Sequence, residues 1–547
     1  MHKLSELFCN RLASGLKRKA ITSCSKWTES YRVMKNDISP GLWSFKFHPW
    51  LKEIHDIEEG RTIVMKGAQV GFTECFVNKH FYFTDIKGVD SLYVLPVSKP
   101  DATDFSSSRI NAAIELSPHL QNLFSNVKNI GHKQAGSVDF MIRGSQSRSG
   151  LKSIPVGLLT LDELDEHNQK NIELAFERTA GQLVWCINLL STPSISHYGI
   201  HKYFLNSTQE YFFFKCPLCS KFIQFTFPDS LVITADSLDD PNLKNSHIIC
   251  TECKGTLQHQ DKPIYLASGE WQATKPDYED RGFSCNQFYS STVSPAKLAE
   301  AYIKSFSDPT AEQEFYNSKL GKPHEIEGAR VTNEHLQQCM GNYKKDATPV
   351  PGLYTMGVDV GHKFLHIEID QWFLNKEAVS HDVNQNAHCR VVYEGTVREF
   401  EELDFFLKKY QINVTVIDAQ PEKRKSLDFA NRFYGKVYTC FYANVKSKDI
   451  KVADNIITVD RTAWLDVALG RFKAVSIELP LDVSKSYKDH LQTLVRVYDK
   501  DSDGNHIGLY RKGDKEDDHF AHARNYSEIA LQLAASFGGS QNITGVF

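Results

Sequence analysis

Two kinds of hydrophobic spacing run along the chain. Between residues 40 and 205, short apolar runs at 62–65, 91–95, 140–143, 157–161 and 183–190 have the length and composition of buried strands. Each of the first two is followed by a segment with helical spacing, the order that builds a parallel sheet with crossover helices. Residues 221–249 read as a strand-rich segment. Beyond a proline-rich hinge at 348–352 a second series begins. It predicts strands over 353–361, 365–373 and 388–397, a helix over 399–410, a strand over 413–418, a helix over 422–434 and a strand over 436–442.

The run at 157–161 ends in Asp162, Glu163, Leu164, Asp165 and Glu166. Like charges this close repel, so they need a cation, a partner or solvent. At a strand's carboxyl edge, Asp162 suits holding Mg²⁺ through water, and Glu163 suits orienting or deprotonating the water that attacks a γ-phosphate. The plain alternative is a strand followed by an acidic helix start. Upstream, Lys66, Gly67, Ala68, Gln69, Val70, Gly71, Phe72 and Thr73 read as strand end, glycine-spaced loop and helix start. A standard phosphate loop has lysine directly before Ser/Thr; here Phe72 stands in that place and the lysine is displaced to the front, at Lys66. The chemistry survives the shift. Backbone N–H groups cradle phosphates, Thr73 can reach Mg²⁺, and Lys66 enters from the other end of the loop. Loop and acidic strand together predict an ATPase that uses ATP and Mg²⁺. Ser191, Thr192 and Pro193 follow the last strand as either a sensor of the γ-phosphate or an ordinary turn.

Composition narrows the reading. At 547 residues, 41% hydrophobic and 24% charged, the chain is globular with room for several domains. No apolar run of ~18 residues predicts a membrane span, and the start (Met1, His2, Lys3, Leu4) lacks the apolar core of a secretory signal. A net charge of −4 argues against indiscriminate coating of nucleic acid but not against a local basic groove. One basic bias exists, in residues 1–35: Lys3, Arg11, Lys17, Arg18, Lys19, Lys26, Arg32 and Lys35 stand against Glu6 and Glu29. This is either a DNA- or partner-binding arm or a solvated helix. The 12 cysteines are scattered, as in a reducing compartment, apart from one paired set. Cys216 with Cys219 and Cys250 with Cys253 fit a tetrahedral zinc ribbon, whose closed four-thiolate shell would make Zn²⁺ structural. The alternative is reduced structural cysteines.

In the second series Asp359 lies within the first strand and Asp418 closes the fourth. Three strands, helix, strand, helix, strand is the order of a ribonuclease H-like fold, in which those two acids meet at the sheet centre. A third acid is expected from a late helix, and Asp517 or Asp518 supplies it, with apolar positions continuing at Tyr526, Ile529, Ala530 and Leu533. Three converging carboxylates are how two-metal nucleases hold Mg²⁺ or Mn²⁺ ions about 4 Å apart for in-line phosphodiester hydrolysis. Asp518 alone is equally explained as a helix N-cap. Lys423, Arg424 and Lys425 on the next helix suit contacts with DNA phosphates.

An ATPase, a zinc ribbon and a metal nuclease in this order resemble the large subunit of the tailed-phage terminase, in its lambda-like branch. The displaced-lysine loop from Met65 to Thr73 is similar to that branch's phosphate loop. The segment from Gly144 through Arg148, Ser153 and Pro155 to Asp165 is similar to its approach to the acidic strand, and Ser191–Thr192–Pro193 to its coupling motif. Both Cys pairs, then Gly269 to Trp271, Gly282 to Asn286, Phe315 to Pro323 and Gly357 to Asp359, continue the likeness over roughly residues 45–545. The resemblance implies an α/β chain: a basic arm (1–40), a P-loop ATPase domain of the ASCE type (41–210), a zinc-ribbon insertion (211–275), ATPase completion and linker (276–348), and a ribonuclease H-like nuclease domain (349–547). It implies a motor that drives double-stranded DNA into a procapsid with ATP and cuts concatemers. Lys66, Gly67, Gly71, Phe72 and Thr73 would form the nucleotide loop, Asp162 would hold Mg²⁺, and Glu163 would be the catalytic carboxylate. Ser191 to Pro193 would couple hydrolysis to movement, and Asp359, Asp418 and Asp518 would hold the nuclease metals. Implied partners are the small terminase subunit, the portal protein and DNA. The setting is a homo-oligomeric ring in the host cytoplasm, virus-encoded and away from membranes. Arg143 and Arg148 are the candidates to complete a neighbour's ATP site.

The chain also departs from the family pattern. Where a Gln or Tyr should meet adenine, Trp50 offers stacking on the base instead, and Asp418 is followed by Ala419, Gln420 and Pro421 rather than glycines. A helicase or restriction-type translocase-nuclease would share the ATPase chemistry. A recombinase or transposase would explain the three acids but not Lys66 with Glu163. A non-catalytic capsid-docking protein is the third option.

Overall fold

The computed structural model describes residues 21, 23–35, 40–124, 127–151, 155–374, 383–443, 447–500, 506–513 and 517–537. They fall into two compact units, Met1–His324 and Glu325–Phe547. No helix among the described residues is long and apolar enough to cross a membrane.

The first unit is built on a parallel sheet. Its strands are β1 (Gly60–Lys66), β2 (Ser91–Leu95), β3 (Val138–Gly144), β4 (Leu158–Asp162), β5 (Cys186–Ser191), β6 (Glu210–Lys215), β7 (Glu270–Ala273) and β8 (Arg281–Cys285). The parallel order is β6-β8-β1-β5-β4-β2-β3; β7 pairs antiparallel with β6, and a short antiparallel hairpin extends the β3 edge. β1, β2, β4 and β5 are buried along nearly their whole length, which is why they read as continuous apolar runs rather than alternating ones. The insertion of β5 between the loop-bearing β1 and the acid-bearing β4 is the ASCE arrangement. Leu183, Val184 and Trp185, expected to start β5, are exposed ahead of it instead.

Two boundaries differ from the expectation. β6 and β7, expected inside the 211–275 insertion, belong to the main sheet through backbone pairing. The insertion proper is therefore the small three-stranded ribbon 231–232, 247–249 and 256–257 with its flanking knuckles. Residues 325–348 join the second unit, because Val331, Leu336 and Cys339 are buried in a cluster with Trp372, Leu469 and Leu479.

Of the basic arm, Lys3, Arg11, Lys17, Arg18 and Lys19 lie outside the described residues. The described part is a helix, Cys24–Tyr31, anchored by the buried Trp27. Arg32 is no solvated cation. It is buried and ion-paired to Glu74 at 2.9 Å, with a further bond to Asn78.

In the second unit, β9 (Leu353–Val360), β10 (Leu365–Leu374), β11 (Ala387–Val397), β12 (Val414–Asp418) and β13 (Val437–Tyr442) lie in the order β11-β10-β9-β12-β13. Short strands extend both edges. β9 to β11 are antiparallel neighbours, and β12 and β13 run parallel to β9. This is the ribonuclease H-like order. The helices include α1 (Phe72–Tyr82) in the first unit and α2 (Lys423–Arg432) and α3 (His519–Phe537) in the second. α3 crosses β9 so closely that a Cβ on Gly357 would lie 1.9 Å from the Ala523 carbonyl oxygen. Its buried face carries Arg524, which pairs with Glu368 at 2.8 Å and also with Asp370 and Glu528. Arg471 reaches Glu528 from the other side at 2.6 Å.

Candidate functional site

The nucleotide loop follows from local geometry. β1 ends at Lys66, and the chain turns through two left-handed residues, Gln69 (φ 58°) and Gly71 (φ 88°), before α1 begins at Phe72. Gly71 has to be glycine, since its φ is left-handed and a Cβ would sit 2.9 Å from Leu51. The N–H groups of Gly67 and Ala68 are committed to the Cys285 and Ser318 carbonyls at 2.8 and 2.7 Å. The N–H groups of α1's first turn have no acceptor within the helix, so they and the helix dipole face a site suited to phosphate. Phe72 is buried in the core, worth ~2–3 kcal/mol, and contributes only its backbone to this site.

Lys66 and the acids meet across the sheet. Asp162 pairs in register with Leu190, and Ser191 with Met65, so the ends of β1, β5 and β4 stand level. Lys66 Nζ lies 3.3 Å from Glu163 Oε1. Burial opposes the lysine's charge, but Glu163 and then Asp162 outweigh it and raise the Lys66 pKa. Burial, then the Glu163 charge, push Asp162 up to about 6, against hydrogen bonds from Tyr93 and Thr73. The Tyr93 hydroxyl donates to Asp162 at 2.6 Å. Glu163 itself has φ 57°, a left-handed backbone that costs a non-glycine residue ~1–3 kcal/mol and points to a site-imposed constraint. α1 is tied to the same strands from beneath: Lys79 donates to Asn188 at 3.0 Å and Asn188 to Thr160 at 3.1 Å.

Ser191, Thr192 and Pro193 open a loop held by Asp165. Ser191 Oγ accepts from the Asp165 N–H at 3.2 Å. The Asp165 carboxylate accepts from Ser194 N–H and Oγ at 2.7 and 2.6 Å and from the Ile200 N–H at 2.8 Å. A segment the sequence placed only in the ATPase completion binds both loops. Ser318 takes the Ala68 N–H, and Asn317 Nδ2 donates to the Ser194 and Lys322 carbonyls, both at 2.8 Å.

Two expectations change here. Trp50 is fully buried against His48, Phe212 and Tyr289, and its indole N–H supports the loop at the Val70 carbonyl (3.0 Å) instead of offering a face to a base. Arg143 is bonded to the Gly131 and Ile142 carbonyls, whereas Arg148 is exposed. Arg109, which no motif marks, pairs with Glu74 at 2.9 Å, and its charge is felt at Lys66.

The four thiols of Cys216, Cys219, Cys250 and Cys253 have their sulfurs within 4.8 Å of one another. The two knuckles repeat one geometry. Ser220 and Lys254 are left-handed at φ 63° and 59°, and their N–H groups return to the Cys216 and Cys250 carbonyls at 2.9 and 3.1 Å. Backbone N–H groups of Leu218 and Glu252 point at sulfur, each at 3.4 Å. Four convergent sulfurs with N–H support fit a tetrahedral ion.

In the second unit, β9 and β12 pair up to Val358 and Ile417, so Asp359 and Asp418 follow side by side. Burial, then the Asp359 charge, push Asp418 up to about 7. Asp517 and Asp518, the acids expected to join this pair, lie just before α3. Asp518 is bonded to Lys512 at 3.2 Å and to His522 at 3.4 Å, which, with burial opposing, hold its carboxyl far below the usual range. Asp517 is largely exposed. The next residue, His519, approaches Asp359, with its Nδ1 2.7 Å from Asp359 Oδ2. His366, opposite Asp359 on β10, stacks on His519 at 4.4 Å. Asp359, His366 and His519 place one ligand atom each within 4.8 Å. The spacing of histidines gives no hint of this, because the strand and helix that carry them are remote in sequence. Of the basic residues on α2, Arg424 and Lys425 are exposed.

Two family models match. "Phage terminase large subunit gpA, ATPase domain" covers residues 38–271, and "Terminase large subunit gpA, endonuclease domain" covers residues 280–420. No curated protein matches. Among solved structures, the HK97 bacteriophage large terminase is 10% identical, covering 94% of this chain and 99% of that one, with a TM-score of 0.48. The large terminase of the thermophilic bacteriophage D6E is 10% identical over 89% and 98%, with a TM-score of 0.29. Thermus thermophilus RuvC is 11% identical over 34% and 97%, with a TM-score of 0.17.

Proposed function

Since the chain belongs to the phage terminase large subunits of the gpA type and carries that family's ATPase and endonuclease domains, we propose that it packages double-stranded DNA into a procapsid with ATP and cuts concatemers. The observation that carries the motor reading is Lys66 at 3.3 Å from Glu163, with Asp162 beside them. When ATP occupies the loop, Lys66 leaves Glu163 for the phosphates, and the freed carboxylate orients or deprotonates the attacking water. Thr73 and Asp162 are the residues that would hold Mg²⁺, which supplies charge stabilisation at the phosphates. Loss of the γ-phosphate lets Lys66 return to Glu163. The Asp165 bonds to Ser191 and Ser194 pass that change to the loop that Asn317 braces.

In the nuclease, Asp359 and Asp418 are the acids that would hold the divalent metal. Arg424 and Lys425 are placed on the helix after Asp418 to meet DNA backbone. Cys216, Cys219, Cys250 and Cys253 hold a structural Zn²⁺. The working assembly is a ring on the portal protein with the small terminase subunit in the host cytoplasm, where the exposed Arg148 can face a neighbouring ATP site. Paired acids in both units, Asp162 with Glu163 and Asp359 with Asp418, argue against a binding-only protein.

The test is plasmid cleavage and DNA-stimulated ATP hydrolysis by the purified chain beside Glu163→Ala and Asp359→Ala. Glu163→Ala should lose ATP hydrolysis and keep cleavage, and Asp359→Ala the reverse. Normal hydrolysis by Glu163→Ala would remove the motor role from that residue, and equal cleavage by Asp359→Ala would place the nuclease elsewhere.

A further inference from the structure

The nuclease centre is unlike an all-carboxylate site in the side chains that surround Asp359. His366 faces it directly in the β9–β10 register, and His519, the first residue of α3, touches it at 2.7 Å. Asp359 and His366 are 5% and 8% exposed, while the His519 side chain keeps 30% of its surface, so the cluster has one open side. His366 Nδ1 is buried with no hydrogen-bond partner among the described residues. A ring nitrogen stripped of water destabilises the fold unless something takes its lone pair or proton. Gly361 borders the cluster: a Cβ there would lie in ordinary contact with the His519 and His366 rings, at 3.5 and 3.6 Å, and 2.8 Å from the Phe364 carbonyl oxygen.

From this geometry we propose that His366 and His519, together with Asp359, are metal ligands, and that they make the nuclease select a first-row transition ion such as Mn²⁺ over Mg²⁺. The inference rests on the nuclease reading above. Mg²⁺ holds an octahedral oxygen shell and dehydrates reluctantly, whereas imidazole nitrogen is a good ligand for the transition ions. Two imidazoles and one carboxylate therefore favour the latter, and Asp418, one strand away, adds the charge a divalent ion needs.

The experiment is calorimetric titration of the zinc-loaded full chain with Mn²⁺ alone and with Mg²⁺ alone, plus pulsed electron paramagnetic resonance of the bound Mn²⁺. Asp359→Ala serves as the background, so that metal bound in the ATPase half is subtracted. Wild type should bind Mn²⁺ tighter than Mg²⁺ at the Asp359-dependent site and show nitrogen couplings. His366→Ala should weaken Mn²⁺ roughly 10–100-fold, and His366→Asp should close the gap between the two ions. Absent nitrogen couplings, or an unchanged preference in His366→Asp, would overturn the proposal while leaving an Asp359 nuclease in place. An Asp359→Ala variant that binds Mn²⁺ as wild type does would overturn the nuclease reading as well. Should His366→Ala fail to fold, as judged by its melting curve and ATP hydrolysis, the nitrogen couplings of wild type decide alone.

Discussion

Gly357→Ala tests how the fold builds the nuclease centre. A Cβ at this position would lie 1.9 Å from the Ala523 carbonyl oxygen and 2.4 Å from the Ser527 N–H nitrogen. Both are backbone atoms of α3, so no side-chain rotation relieves the clash. The helix or the strand must retreat by about 1 Å to restore contact distance. Retreat is resisted, because Thr355 and Ser527 hydroxyls are bonded at 2.7 Å and Arg524 anchors α3 to Glu368 on β10. Overpacking of this kind costs about 1–3 kcal/mol, and disturbing the buried ion network adds to it. Against a typical domain stability of ~5–15 kcal/mol the variant still folds. The displacement falls on the helix that delivers His519 to Asp359. A 1 Å error in a catalytic constellation is worth roughly 100-fold in rate. We expect Gly357→Ala to lose about that much plasmid cleavage, to unfold at lower denaturant, and to keep wild-type ATP hydrolysis in the same preparation. Wild-type cleavage with wild-type stability would refute the close packing of α3 on β9. Lost cleavage at full stability would separate the site from the helix position.

Other consequences are equally direct. Arg524→Met leaves Glu368, Asp370 and Glu528 buried with less positive charge and should destabilise by about 3–5 kcal/mol in denaturant unfolding; a change below 1 kcal/mol, within the range of a surface ion pair, would show that the network is solvated. Asn317→Ala removes the bonds to the Ser194 and Lys322 carbonyls and should lower DNA stimulation of ATP hydrolysis while sparing cleavage, and unchanged stimulation would deny the brace a role. If the four thiols bind zinc, metal analysis should find one ion per chain in wild type and less in Cys250→Ser, and equal zinc content in both would put the metal elsewhere. Asp418 gives a pH effect with a definite sign. Its carboxyl holds a proton up to about 7 in the folded chain but only to its ordinary value of 3.8 when unfolded, so between these values the folded state binds more protons and stability falls as pH rises. Melting temperature in a metal-free buffer should decline over that window more steeply for wild type than for Asp418→Asn; parallel slopes would contradict the shift.

The ATPase half was largely legible because its chemistry sits in contiguous motifs at strand ends. A continuous apolar run ending in Asp162 and Glu163, and another ending in Lys66 before a glycine-spaced loop, leave few places for those side chains except one edge of a parallel sheet. The level ends of β1, β5 and β4 bear this out. What periodicity could not give is the identity of supports that arrive from elsewhere. Trp50 looked like a stacking platform because an aromatic near a proline says nothing about its burial. In the structure its indole is a strut beneath Val70. Asn317 and Ser318 carry no chemical signature either; a π-type turn at Phe315–Lys319 directs their polar groups at two loops at once.

The nuclease half shows where sequence reasoning stops and why. Asp359 and Asp418 could be found because each closes or nearly closes a strand, and adjacent parallel strands put those ends together. Carboxylates were sought on the late helix, so Asp517 and Asp518 stood out there and the next residue, His519, did not. A helix turns by ~100° per residue, so neighbouring positions face different ways. At the start of α3, Asp518 faces Lys512 and His522, while His519 faces Asp359. His366 was out of reach for a different reason. Alternation puts His366, Glu368 and Asp370 on one face of β10, and a polar stripe on one face of a strand ordinarily reads as the solvent side. Here α3 covers that face, with Arg524 answering two of the acids and His519 stacking on the histidine. A stripe that is polar in sequence and buried in the fold has to be matched group by group from the covering helix, and that match is what turns a solvent-like pattern into a buried histidine pair beside an ion network.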